Sequence, residues 1–104
     1  METQVLLVMV GSLREAETIA RAVVKERLAA CANVIPGAVS IYWWEGKLCE
    51  GDEVLMVVKA RGDRVEPLIK RIQELHSYQV PAIVTLPVVG GNQAYLKWVQ
   101  EQVS

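Results

Sequence analysis

The run Ser40-Ile41-Tyr42-Trp43-Trp44-Glu45-Gly46 sets three of the chain's six aromatic residues side by side. In an extended strand neighbouring side chains point to opposite faces, so large aromatic surface faces both ways. A chain of 104 residues can cover one face of a sheet with helices but has little left for the other. A strand apolar on both faces in so small a chain is therefore an argument for self-association. Composition points the same way. Hydrophobic residues make up 52% and mean hydropathy is +0.23, high for a small chain, and part of that excess is expected in subunit interfaces.

Eleven basic and twelve acidic residues give a net charge of −1, which offers no footprint for a polyanion such as nucleic acid. The apolar run over residues 5–10 lacks the basic start and small-residue cleavage site of a signal peptide. No segment approaches the ~20 apolar residues needed to cross a bilayer. The expected location is the cytoplasm, without membrane association. Cys31 and Cys49 are too few and too irregularly spaced for a disulfide framework or a CxxC zinc site, which fits a reducing compartment. Cys49 is expected as a small buried hydrophobe, and residues 1–104 as one domain.

Residues 4–10 read as an apolar strand, and Ser12-Leu13-Arg14-Glu15 is a capping-box pattern. Ala16, Ile19, Ala20, Val23, Val24 and Leu28 then lie at helical spacing, predicting a helix that ends near Ala29-Ala30. Residues 31–45 are a long extended stretch with a bulge expected at Pro36-Gly37, and Gly46 marks the reversal. Residues 47–61 return as a second strand, completing a long hairpin, with Gly51 a further bulge or break. Asp63-Arg64-Val65-Glu66 repeats the helix-start pattern, ahead of an apolar stripe from Val65 to Leu75 in which Pro67 is tolerated in the first turn. Residues 79–88 form a fourth strand, at an edge or beside a bulge because of Pro81 and Pro87. Asn92 caps a last short helix carrying Tyr95, Trp98, Val99 and Gln102. The order is an α+β, ferredoxin-like βαββαβ plan with an added C-terminal helix.

Few residues carry chemistry. His76 is the lone histidine, at the end of the second helix, where a helix-terminal cation or a hydrogen-bonded interface residue is the commoner reading and a ligand or catalyst the rarer. Cys31 is a soft ligand, a nucleophile or, more commonly, a buried structural thiol. With a reversal at Gly46, ~40 Å separates it from Cys49, beyond the ~7 Å a disulfide tolerates. Lys59 ends an apolar strand, where it either meets a carboxylate or bound anion or snorkels to water. Tyr42, Trp44, Tyr95 and Trp98 suit an amphipathic pocket, though core packing is the commoner fate of such residues. Gly90-Gly91 is turn chemistry. No Ser/His/acid ordering, HExxH or P-loop pattern is present, so catalysis is not the default.

The segments Glu26-Arg27-Leu28-Ala29-Ala30-Cys31-Ala32-Asn33, Ser40-Ile41-Tyr42-Trp43-Trp44-Glu45-Gly46, residues 53–59, Glu74-Leu75-His76-Ser77-Tyr78-Gln79-Val80-Pro81 and Tyr95-Leu96-Lys97-Trp98 together resemble the signature blocks of the CutA divalent-cation tolerance family, in order and spacing over essentially the whole chain. The resemblance implies a tight homotrimer of ferredoxin-like subunits, similar to the PII signalling proteins, acting in the cytoplasm in tolerance of copper and other divalent metals. It implies that Cys31 and His76 are candidate metal ligands, and that Tyr42, Trp44, Lys59, Tyr78, Tyr95 and Trp98 surround clefts between subunits. Copper or another divalent metal is the candidate ligand, with no obligatory cofactor. Where the family usually reads His-Pro-Tyr-Glu-Val-Pro, this chain has Ser77 and Gln79, losing a rigid turn residue and a carboxylate that could balance a cation or orient the histidine. The alternative role is a PII-like signalling or scaffold trimer that binds a small anion or a partner protein. A cysteine-dependent enzyme is the third.

Overall fold

Alternation builds the sheet. In β1 (Thr3–Val10) the side chains of Leu6, Val8 and Val10 are buried while Val5, Leu7 and Met9 are half-buried, and β3 (Lys47–Arg61) repeats this with Val54, Met56, Val58 and Ala60 innermost. In the computed structural model, which describes residues 2–104, β2 (Cys31–Trp44) and β4 (Ile83–Pro87) complete one antiparallel sheet in the order β2-β3-β1-β4. That order is the split βαβ arrangement.

The helices α1 (Leu13–Lys25) and α2 (Val65–Leu75) lie on one face, where Ala16, Ile19, Val23, Leu68 and Ile72 close the core over the inner residues of β1 and β3. Arg71 ties the two helices together, with Nε and Nη2 donating to Glu26 at 2.9 and 3.0 Å. A third helix, α3 (Gln93–Gln102), stands on the opposite face at one end: Gln100 donates to the Thr3 hydroxyl, and Arg61 donates to the carbonyls of Gln100 and Val103. The rest of that face shows apolar side chains, among them Val84 and Leu86 on the edge strand β4.

Several local expectations hold for the reasons given. Ser12 Oγ accepts from the Glu15 N–H, Asn92 Oδ1 accepts from Ala94 and Tyr95, and the β2–β3 register slips between Ile35 and Ala38, at Pro36-Gly37. Other expectations need correcting. α1 stops at Lys25, five residues before Ala30, because Arg27 takes a left-handed φ of 63°. The Leu28 and Ala29 N–H groups then turn back to the Val23 carbonyl, and the Arg27 guanidinium is held on Gln102. Asp63 does not cap α2; its carboxylate accepts from Arg61 Nε at 2.6 Å, and a 3-10 turn over Gly62–Arg64 leads into the helix instead. Gly51 pairs in register with Ser40, so no bulge forms there. β4 begins at Ile83 because residues 77–80 form bends that carry the chain across the end of β1.

Beyond Val54, β3 has no β1 neighbour, so residues 38–53 continue as a two-stranded ribbon. Glu45 and Gly46, with φ of 50° and 77°, form its two-residue turn, the left-handed pair that matches strand twist. Cys49 lies on this ribbon and is only half-buried, because no third strand or helix covers it; its thiol donates to the Lys47 carbonyl at 3.8 Å.

Candidate functional site

The end of α2 is fixed by a carboxylate from another helix. Glu15 Oε2 accepts from the Ser77 N–H at 2.7 Å and Oε1 from the Ser77 hydroxyl at 2.8 Å. A proline at position 77 would have neither donor, so Ser77, one of the two departures from the pattern the chain resembles, is the residue that Glu15 clasps. The clasp leaves His76 with its side chain wholly buried and both ring nitrogens engaged. Nε2 meets the Met9 carbonyl at 2.8 Å, and Nδ1 accepts from the Tyr78 N–H at 3.0 Å. Since Nδ1 is the acceptor, Nε2 carries the proton that goes to Met9, which is the pattern of a neutral ring. Glu15 Oε2 also lies 3.6 Å from Nδ1, so the carboxylate nearest the histidine comes from α1.

Tyr78 follows and turns toward the ribbon. Its ring lies 4.8 Å from that of His76, and its hydroxyl donates to Glu53 Oε2 at 3.0 Å. It passes so close to Gly11 that a Cβ there would stand 2.9 Å from the phenol oxygen, which is why glycine occupies the end of β1. Partial burial, then the Glu53 carboxylate that takes its hydrogen bond, raise the Tyr78 phenol above its ordinary 10.0. Between Tyr78 and the ribbon opens a cavity of about 670 Å³, against which Tyr42 and Trp44 both stand, as their shared strand face requires. Trp43 points the other way and is 72% exposed.

A second cluster lies under α3. Cys31 pairs across the sheet with Lys59, its Sγ is 3.6 Å from the Tyr95 hydroxyl, and Lys59 Nζ sits 5.5 Å from the centre of the Tyr95 ring. Trp98 stacks on Tyr95 at 5.7 Å. No carboxylate pairs with Lys59 among the described residues; it meets an aromatic ring instead.

The six residues expected around clefts between subunits form two groups within the chain: Tyr42, Trp44 and Tyr78 at the cavity, Lys59, Tyr95 and Trp98 beside Cys31. Cys31 and His76 are not brought together either. Lys59, opposite Cys31, pairs with Val5, whereas His76 is bonded to Met9, four residues or roughly 13 Å further along β1. No group of three or more metal-ligating side chains occurs among the described residues. Glu15, Glu53 and Gly11 are positions at this site that the sequence does not single out. Glu15 was legible only as a helix-start residue, and nothing local marks Glu53 or Gly11.

One sheet face closed by two helices, with an aromatic cavity and a cysteine–lysine–tyrosine cluster at two ends of the other, defines a small antiparallel α+β protein with one sheet face left largely uncovered. The chain belongs to the CutA1 divalent ion tolerance protein family, whose profile matches residues 4–102. It is 47% identical over 98 residues to the divalent-cation tolerance protein CutA of Thermus thermophilus, covering 94% of this chain and 95% of that one. It is 38% identical over 96 residues to the chloroplastic protein CutA of Arabidopsis thaliana, covering 92% of this chain and 53% of that one. The chain therefore spans about half the length of this plant relative. The crystal structure of CutA1 from Oryza sativa superposes with a TM-score of 0.97 at 35% identity, covering 100% of this chain and 95% of that one.

Proposed function

We propose that the protein serves divalent-cation tolerance as a cytoplasmic homotrimer, binding copper at boundaries between subunits and catalysing no reaction. The observation that supports assembly is the open sheet face with its ribbon. Val84 and Leu86 on the open face are exposed, and Ile41, Trp43 and Leu48, on the opposite side of the ribbon from Tyr42 and Trp44, are 64%, 72% and 65% exposed, so apolar surface is left uncovered on both sides. Family membership supports the link to divalent cations.

Copper is favoured over magnesium or calcium by the thiol and imidazole donors. Because Cys31 and His76 lie apart in one chain, a shared site takes them from two copies. Cys31 is the readier ligand: among the described residues its thiol has one hydrogen-bonding partner, Tyr95, whereas His76 enters a site only by releasing Met9 or Tyr78. Copper titration of the assembled protein tests this. Cys31→Ala is expected to abolish tight binding. Affinity unchanged in both Cys31→Ala and His76→Ala removes these residues as ligands, and no binding near micromolar sinks the copper reading. Fractionation of cells tests the location.

A second reading is a PII-like signalling trimer that binds a small anion, and it is favoured by Lys59, a cation beside Tyr95 and Trp98 that has no carboxylate partner among the described residues. A thermal-shift screen of nucleotides and small organic acids tests it: stabilisation lost in Lys59→Ala supports it, and no stabilisation by any of them rejects it.

A further inference from the structure

We propose that the cavity between the ribbon and Tyr78 binds a small organic cation of the tetraalkylammonium class, held against Tyr42, Trp44 and Tyr78 with the Glu53 carboxylate as counter-charge. The argument is one of elimination by charge and surface. Glu53 is the sole charged residue among those lining the cavity, so an anion would be repelled. A bare divalent metal needs charge from several ligands, and besides the neutral donors of Ser40, Gln79, Met9 and the tyrosines the lining offers one carboxylate, one of whose oxygens already accepts from Tyr78. A neutral apolar molecule would match the aromatic walls but take water from the other carboxylate oxygen, which accepts no hydrogen bond from the described residues.

An alkylated ammonium satisfies both halves of the site. Its methyl groups are greasy enough for the aromatic walls, its charge is diffuse and weakly hydrated, and aromatic rings attract cations through their quadrupole. At about 670 Å³ the cavity has the size of a small-molecule site. The Tyr78–Glu53 hydrogen bond orients the carboxylate, and Gly11 leaves the room that lets Tyr78 reach it. The proposal rests on neither the copper site nor the anion reading, since the cavity contains none of Cys31, His76 or Lys59.

The test compares choline with 3,3-dimethylbutan-1-ol, its neutral isostere, by isothermal titration and by the indole proton shifts of the assembled wild-type protein. Saturable binding of choline at millimolar concentration, at least roughly tenfold tighter than the isostere, is the expected result. Glu53→Gln and Trp44→Leu should each weaken choline about tenfold, and Glu53→Gln should leave the isostere unaffected. Equal binding of the two compounds, or choline affinity retained in both variants, overturns the proposal. So does the absence of any choline binding to the wild type, the outcome expected if a second copy of the chain fills the cavity. The wild-type comparison stands even where a variant fails to assemble.

Discussion

Glu15 reaches a segment 62 residues further along the chain and holds it by two hydrogen bonds. Charge-assisted bonds of this kind are individually the stronger ones, so Glu15→Ala is expected to lower stability by about 2 kcal/mol in urea melts. Ser77→Ala, which keeps the backbone donor, should cost about half as much, ~1 kcal/mol. A Glu15→Ala cost no greater than that of an ordinary surface change would show that the clasp does not hold the segment. Tyr78 supplies a pH signature. Its folded phenol stays protonated beyond the ordinary 10.0, so the folded state binds more protons than the unfolded one in that window. The stabilisation is complete below 10.0 and is lost as pH rises through the higher folded value. Tyr78→Phe should flatten this alkaline limb while lowering stability slightly at neutral pH; an unchanged limb would assign it to other groups. At this scale the sequence was only partly legible. His76 and Tyr78 stand out by type, but their partners are a backbone carbonyl at Met9 and carboxylates from α1 and β3, which only the tertiary fold brings near.

Elements with strong local signals were readable. The Ser12 and Asn92 caps, the Pro36-Gly37 bulge and the Gly46 reversal each follow from backbone chemistry that needs no tertiary partner. Elements that end through distant contacts were not. α1 stops where Arg27, a residue with good helix propensity, is held in a left-handed conformation by Gln102, and Asp63 is drawn from capping by Arg61. The ribbon turn offers a direct check. Gly46→Ala places a Cβ at φ 77° and should cost about 1 kcal/mol or more in thermal or urea unfolding. Glu45→Asn, at φ 50°, should gain a few tenths of a kcal/mol, because asparagine tolerates that region. Equal melting of all three proteins would show that turn strain does not limit stability.

For the molecule as a whole, the mass in solution decides the proposed assembly: sedimentation equilibrium should give three chains of 11.5 kDa. Val84→Glu with Leu86→Glu alters exposed side chains on β4, leaves the buried core of each chain intact, and should yield monomers. A double variant that remains trimeric would move the interface elsewhere. The molecule measures 44 Å along its long axis and only 25 Å by 22 Å across the others, and the ribbon projects where β1 no longer lies beside β3. Two strands alone are marginally stable in water. Residues 38–53 should therefore complete their structure only when chains meet, so the last refolding phase, followed by Trp43 and Trp44 fluorescence, should quicken with protein concentration. Dilution should do the reverse, opening the ribbon first and giving a protease its earliest cut there while the rest of the sheet still resists.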